Sequence, residues 1–128
     1  MKHFVLAALA ISLAACAAPE MGKEMSEDGF TRLATVEDLG TFLDRNLAFD
    51  AEQYSVINSD GSLGGIFAGV GIEGTWEMED GFFCRTLTAG PEYAMKIPVD
   101  CQLLEANGST LRGTRDKGNG RQFILTAQ

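Results

Sequence analysis

The segment from Gly71 to Gly81, GIEGTWEMEDG, alternates with a period of two. Ile72, Gly74, Trp76 and Met78 fall on one side, and Glu73, Thr75, Glu77 and Glu79 fall on the other. This is the pattern of a β-strand with one buried and one solvated face. The even-numbered series continues backwards through Val70, Ala68 and Ile66. A single strand of that length would run about 43 Å at ~3.3 Å per residue, too long for a domain of this size. A break is required, and Gly69 and Gly71 supply it.

Turn dipeptides punctuate the rest of the chain after Phe49. Asp60-Gly61, Asp80-Gly81, Asn107-Gly108 and Asn119-Gly120 each separate runs rich in strand-forming residues, the strongest short-range hairpin signal. Before them, TVEDLGTFLDRNL places Val36, Leu39, Phe42 and Leu43 at helical spacing. Thr35 and Asp38 stand as a capping pair at its start. One short amphipathic helix is expected over 36–46, weakened by Gly40, and no second helical pattern follows. The fold class is therefore mainly β: an antiparallel meander or small barrel, half or fully closed, of about seven or eight strands, with one short N-terminal helix on an end or face.

The first residues read differently. Lys2 and His3 precede an apolar run from Phe4 to Ala15, interrupted only by Ser12, and the run stops at Cys16. It is shorter than the ~20 residues a membrane-spanning helix needs and has the form of a secretory signal. Leu13-Ala14-Ala15-Cys16 is similar to the lipobox of bacterial lipoproteins, in which the Cys carries diacylglycerol and becomes the first mature residue. The alternative is an ordinary secretory signal followed by a coincidental Cys. Under the lipobox reading residues 1–15 are removed, residues 16–30 form a polar, acidic tether, and 31–128 form a single β-rich domain. Attachment would be firm, because each buried methylene contributes about 0.8 kcal/mol and two or more chains anchor stably. Ala17 after the Cys resembles the signal for release to the outer membrane, so the expected location is the envelope, facing the periplasm.

Cleavage leaves nine basic against eighteen acidic residues, a net charge of −9, which argues against nucleic acid or an anionic membrane face as a general partner. It also removes His3, the only histidine. The mature chain then has no imidazole for a Ser-His or Cys-His nucleophile and no histidine metal ligand. With Cys16 lipidated, Cys84 and Cys101 remain. In an oxidising compartment they are expected as a disulfide, the alternative being free thiols or half of a metal site.

Four features invite a chemical reading. Gly69-Val-Gly71-Ile-Glu-Gly74 is a literal G-x-G-x-x-G, but strand alternation and the Asp80-Gly81 turn follow it, so no helix N-terminus is available to hold a pyrophosphate. Gly74-Thr75-Trp76 matches the G-x-W of small ligand-binding barrels of the lipocalin type, which makes Trp76 either a core residue or a wall of a ligand pocket. Glu77, Glu79 and Asp80 cluster as two glycosidase carboxylates would, yet neighbours on one strand face have that spacing by default. Finally, the chain from 105 to 128 reverses the charge to +2, with Arg112, Arg115, Lys117 and Arg121 within ten positions. These four are candidate contacts for an anionic ligand or a partner's carboxylates, or edge charge that blocks aggregation. No catalytic residue, metal or cofactor is assigned.

The pattern G-x-W-x-x-x-D-G-x-x-C-R (Gly74–Arg85), followed by Asp100-Cys101-Gln102, Gly108 to Arg112 and RDKGNG (Arg115–Gly120), resembles a family of small secreted proteins of Gram-negative bacteria over roughly residues 30–128. Its members often carry the label dihydrodipicolinate reductase. These residues give that label no support, since the reductase is an NAD(P)H enzyme of about twice this length with a His-rich catalytic stretch. The chain also resembles, more distantly, periplasmic protease inhibitors of the eight-stranded barrel type, although AAPEMGKEMSEDG shows no match to their inhibitory arm. The expectation is a non-enzymatic, lipid-anchored binding module for a small ligand or an envelope protein. Metabolic labelling with an alkyne analogue of palmitate checks the anchor: the wild-type chain incorporates label and the Cys16→Ser chain does not.

Overall fold

The computed structural model describes residues 25–128. The signal, the lipobox and Cys16 lie outside them. Among the described residues nine strands form one antiparallel sheet: β1 (Thr31–Leu33), β2 (Leu47–Ala48), β3 (Tyr54–Ile57), β4 (Ser62–Phe67), β5 (Val70–Glu79), β6 (Phe82–Ala89), β7 (Val99–Asn107), β8 (Thr110–Thr114) and β9 (Gln122–Ala127). Strands β2 to β9 pair in sequence, and β9 returns to β2, closing an eight-stranded barrel. Strand β1 is the ninth. It pairs with the second half of β7, Leu33 opposite Leu104, beside the β6 pairing that occupies the first half. The mainly β expectation holds, and the barrel is a closed one.

The strand of GIEGTWEMEDG forms as its alternation requires, with Ile72 and Trp76 buried and Glu73, Thr75, Glu77 and Glu79 exposed. The break before it is placed differently from expectation. Ala68 and Gly69, at φ 52° and 75°, make the two-residue turn, whereas Gly71 lies inside β5 opposite Ile66. A two-residue turn changes which parity faces inward. Leu63 and Phe67 share a face with Gly74 and Val70, so Ile66 points outward and does not continue the series of Ile72 and Trp76. The G-x-G-x-x-G motif is thus a hairpin and the strand leaving it. Gly74 has a separate reason to be glycine: a Cβ there would stand 2.2 Å from the carbonyl oxygen of Thr86. The backbones of β5 and β6 close up at a bulge, where pairing steps from Glu73–Ala89 to Gly74–Leu87 and the curvature of the wall increases.

The helix expected over 36–46 does not form. Its capping pair does: the Asp38 N–H donates to Thr35 Oγ1 at 3.2 Å, and Asp38 Oδ2 accepts from the N–H groups of Ala34 and Thr35 at 2.9 and 3.1 Å. Only a single 3₁₀ turn, Glu37–Leu39, follows, and the chain turns onward to Asp44 at φ 58°. Burial decides the outcome. The segment crosses the end of the barrel from Ala34, near the Gly81 turn, to Asp44, whose N–H donates to the Ile57 carbonyl. Leu39 and Phe42 are driven into the core while Val36, on the expected apolar face, is left 51% exposed. Gly40, the residue that weakens the helix, stands where the 3₁₀ turn ends. A second short element was not foreseen: a single helical turn, α1 (Glu92–Met95), in the β6–β7 connection.

Residues 25–30, expected as the last part of the tether, are seated on the barrel. Arg112 forms an ion pair with Asp28 and lies over the Phe30 ring, its guanidinium carbon 4.0 Å from the centroid. Met25 bridges to Thr31.

Cys84 and Cys101 are directly opposed across β6 and β7, with Cα atoms 3.9 Å apart, and are joined as a disulfide on the outer face. Closing a loop of this length stabilises by about 3 kcal/mol in the chain-entropy model. Replacing both by Ala is expected to lower the unfolding free energy by about 2–4 kcal/mol, measured by urea titration. Dithiothreitol should shift the wild-type midpoint and leave that of the double variant in place.

Candidate functional site in the barrel lumen

Alternation and register decide which side chains enter the barrel. Leu47, Ile57, Leu63, Trp76, Leu104, Leu111 and Leu125 belong to its core, and Leu39 and Phe42 join them from the segment that crosses the closed end. Trp76 is fixed there. Its indole N–H donates to the Asn58 carbonyl at 2.8 Å, and its ring stacks on Phe83 with centroids 5.7 Å apart.

Beyond Phe83 the barrel is hollow. A cavity of about 390 Å³ opens at the end that carries the β2–β3, β4–β5, β6–β7 and β8–β9 connections, within the ~300–1,000 Å³ of small-molecule sites. Its inner wall is aliphatic, with Ile57, Leu63, Ile72, Leu87, Leu104, Leu111 and Leu125, and Phe83 forms its floor. Phe49, Phe67 and Tyr93 stand at the mouth. A Cβ at Gly113 would meet the tip of the Phe123 ring, with Cζ at 2.1 Å, so glycine at this position is what lets that ring reach over β8.

One polar group of residues interrupts this lining. Register places Arg85 on β6 opposite Asp100 on β7, and Phe83 opposite Gln102. Asp100, 8% exposed, accepts from Gln102 Nε2 at 2.9 Å and Arg115 Nε at 3.0 Å on one oxygen, and from the Asp116 N–H at 3.2 Å on the other. Burial alone would raise the Asp100 pKa, but the hydrogen bonds from Gln102, Arg115 and the Asp116 N–H outweigh it and the net shift is downward. Arg85 shifts downward as well, because burial disfavours its charge and Arg115 repels it, against partial opposition from Asp100 and Tyr93. Among the described residues Arg85 makes no side-chain hydrogen bond or ion pair. Arg115 Nη2 is buried and unpartnered too.

The basic cluster expected from 112 to 121 is divided by the fold. Arg115 enters the lumen and Arg121 lines its mouth. Arg112 faces outward, bound to Asp28 and Glu105. Lys117 lies over Phe82 on the outer surface, 5.7 Å from the ring centroid. Trp76 does not line the cavity, since Phe83 lies between. Glu77 and Glu79 project outward and Asp80 occupies the turn at the closed end, so these carboxylates do not meet in a cleft. Arg85 was missed by sequence reasoning, although the signal existed: pairing Cys84 with Cys101 makes Arg85 and Asp100 neighbours on the opposite face. No group of His, Cys, Asp or Glu able to hold a metal ion occurs among the described residues.

No family model, curated protein or solved structure matches this chain.

The depressed pKa of Asp100 has a consequence for stability. An unfolded aspartate titrates near 3.9, so the contribution of Asp100 is fully present above that value and is lost as pH falls through its lower native pKa. The unfolding free energy of Asp100→Asn from urea titration should lie below wild type at pH 6, by about 1–3 kcal/mol for a buried hydrogen-bonded charge. The gap should narrow steadily on acidification to pH 3.

Proposed function

We propose that this protein is an envelope-anchored β-barrel that holds a small, largely apolar molecule in its lumen and performs no chemistry on it. The observation that carries this reading is the 390 Å³ cavity beyond Phe83, aliphatic on its inner wall and open at one end. A barrel whose only task was to present an outer face to a protein would gain from filling that space, because unfilled apolar volume destabilises a core. Five of the eight large exposed apolar side chains among the described residues support an entrance at the same end: Phe49, Val70, Tyr93, Ile97 and Val99 belong to the strand ends and connections around the mouth. Anchoring at Cys16 would keep such a barrel beside a membrane, where apolar molecules concentrate.

The neutral fluorophore N-phenyl-1-naphthylamine tests the reading. Purified protein should enhance its emission, with a dissociation constant on the order of micromolar. Leu87→Trp, which adds ring volume to the lumen wall, should reduce binding at least tenfold while the far-ultraviolet circular dichroism is retained. An unchanged affinity in that variant, or no binding by wild type, would contradict occupancy of the lumen.

A further inference from the structure

We infer that the molecule held in the lumen is a linear aliphatic carboxylate whose head group is received by Arg85 and Arg115; this rests on the lumen reading above. Three observations converge on it. The first is position. Arg85 projects inward from β6 between Phe83 and Leu87, and Arg115 enters from the far side of β7, so both guanidiniums line one cavity whose inner wall is aliphatic. The second is unfilled hydrogen-bonding capacity. Asp100 already accepts from Gln102, Arg115 and the Asp116 N–H, which leaves Arg85 with no hydrogen-bonded acceptor among the described residues and Arg115 Nη2 buried without one. A donor hidden from water without an acceptor, as Arg115 Nη2 is, is disfavoured, and half-buried guanidiniums bind carboxylates in a forked geometry.

The third is charge. Beside Asp100 two guanidiniums face one carboxylate, a local surplus of one positive charge, and the exposed Arg121 adds a third guanidinium at the mouth. A monoanionic head group neutralises the local surplus beside Asp100. The apolar wall sets the tail. The cavity equals about 13 liquid-water volumes at ~30 Å³ each, room for a chain of roughly ten carbons. Asp100 is a positioning residue in this arrangement, because it holds Arg115 through Nε within electrostatic reach of Arg85.

Isothermal titration of the purified protein with decanoate, decanol and decyl phosphate tests the inference, with N-phenyl-1-naphthylamine displacement as the parallel readout. Decanoate should bind at least tenfold more tightly than decanol, and Arg85→Gln should abolish that preference while decanol affinity stays within about twofold. A variant-free measurement covers the case in which Arg85→Gln does not fold: in wild type, phenylglyoxal modification of Arg85, followed by mass spectrometry, should be slowed by decanoate and not by decanol. Equal affinity for decanoate and decanol overturns the head-group assignment and leaves the lumen reading standing. Tightest binding by decyl phosphate overturns the carboxylate in favour of a phosphate. A preference for decanoate that survives Arg85→Gln, or modification of Arg85 that decanoate does not slow, overturns the role of Arg85. Failure of all three ligands and of the fluorophore overturns the lumen reading itself.

Discussion

The pairing of Cys84 with Cys101 fixes, residue by residue, what faces what across β6 and β7. Because successive side chains of a strand point to opposite faces, a disulfide on the outer surface obliges the flanking residues to meet inside. Arg85 faces Asp100 and Phe83 faces Gln102. A slip of one residue would send the charged pair to solvent and the sulfurs to the lumen. The same link ties the bulged β5–β6 hairpin to the strand on which β1 is docked. Asp100, held in this register, then organises the β8–β9 connection by accepting from Arg115 and from the Asp116 N–H.

From that constraint the two halves of the barrel take different characters. The half near the Asp80-Gly81 turn is solid, filled by Trp76, Leu39, Phe42 and Leu47. The other half carries a polar network on one wall and aliphatic residues on the others, and a side chain large enough to fill the centre is missing from the inward positions. Eight strands enclose an interior that side chains can fill or that can hold one small ligand. Gly113 lets the Phe123 ring reach over β8. Unpaired guanidinium donors beside an apolar cavity are a poor arrangement for stability alone. They suit an amphiphile with an anionic end.

Much of the fold was legible in the residues. The period-two run through Trp76, the hairpin turn dipeptides and the Cys pair specify strands, connections and one cross-link by local rules. The segment after Thr35 shows where local rules stop. Its capping pair forms, yet the helix it should start gives way to a 3₁₀ turn, since closing the end of the barrel needs Leu39 and Phe42 at depth. The parity change at Ala68-Gly69 is a second case: a shift of the turn by one residue reverses which side chains of β4 face inward. For the site, proximity in sequence misled. Arg112, Arg115, Lys117 and Arg121 look like one basic patch, but a strand sends alternate residues to opposite faces and the connection after Thr114 folds over the outside.

By itself the sequence determined that this chain is a β-domain whose glycine-rich stretch is turn and strand, and it pointed to a Cys84–Cys101 link, because those properties follow from alternation, turn chemistry and cysteine count over short distances. Only the tertiary structure decided that the barrel closes, that it is hollow beyond Phe83 and that Arg85 and Arg115 converge there. Closure depends on β9 meeting β2 across more than seventy residues of chain, and a cavity is a property of the side chains around it taken together, which no single stretch of residues encodes.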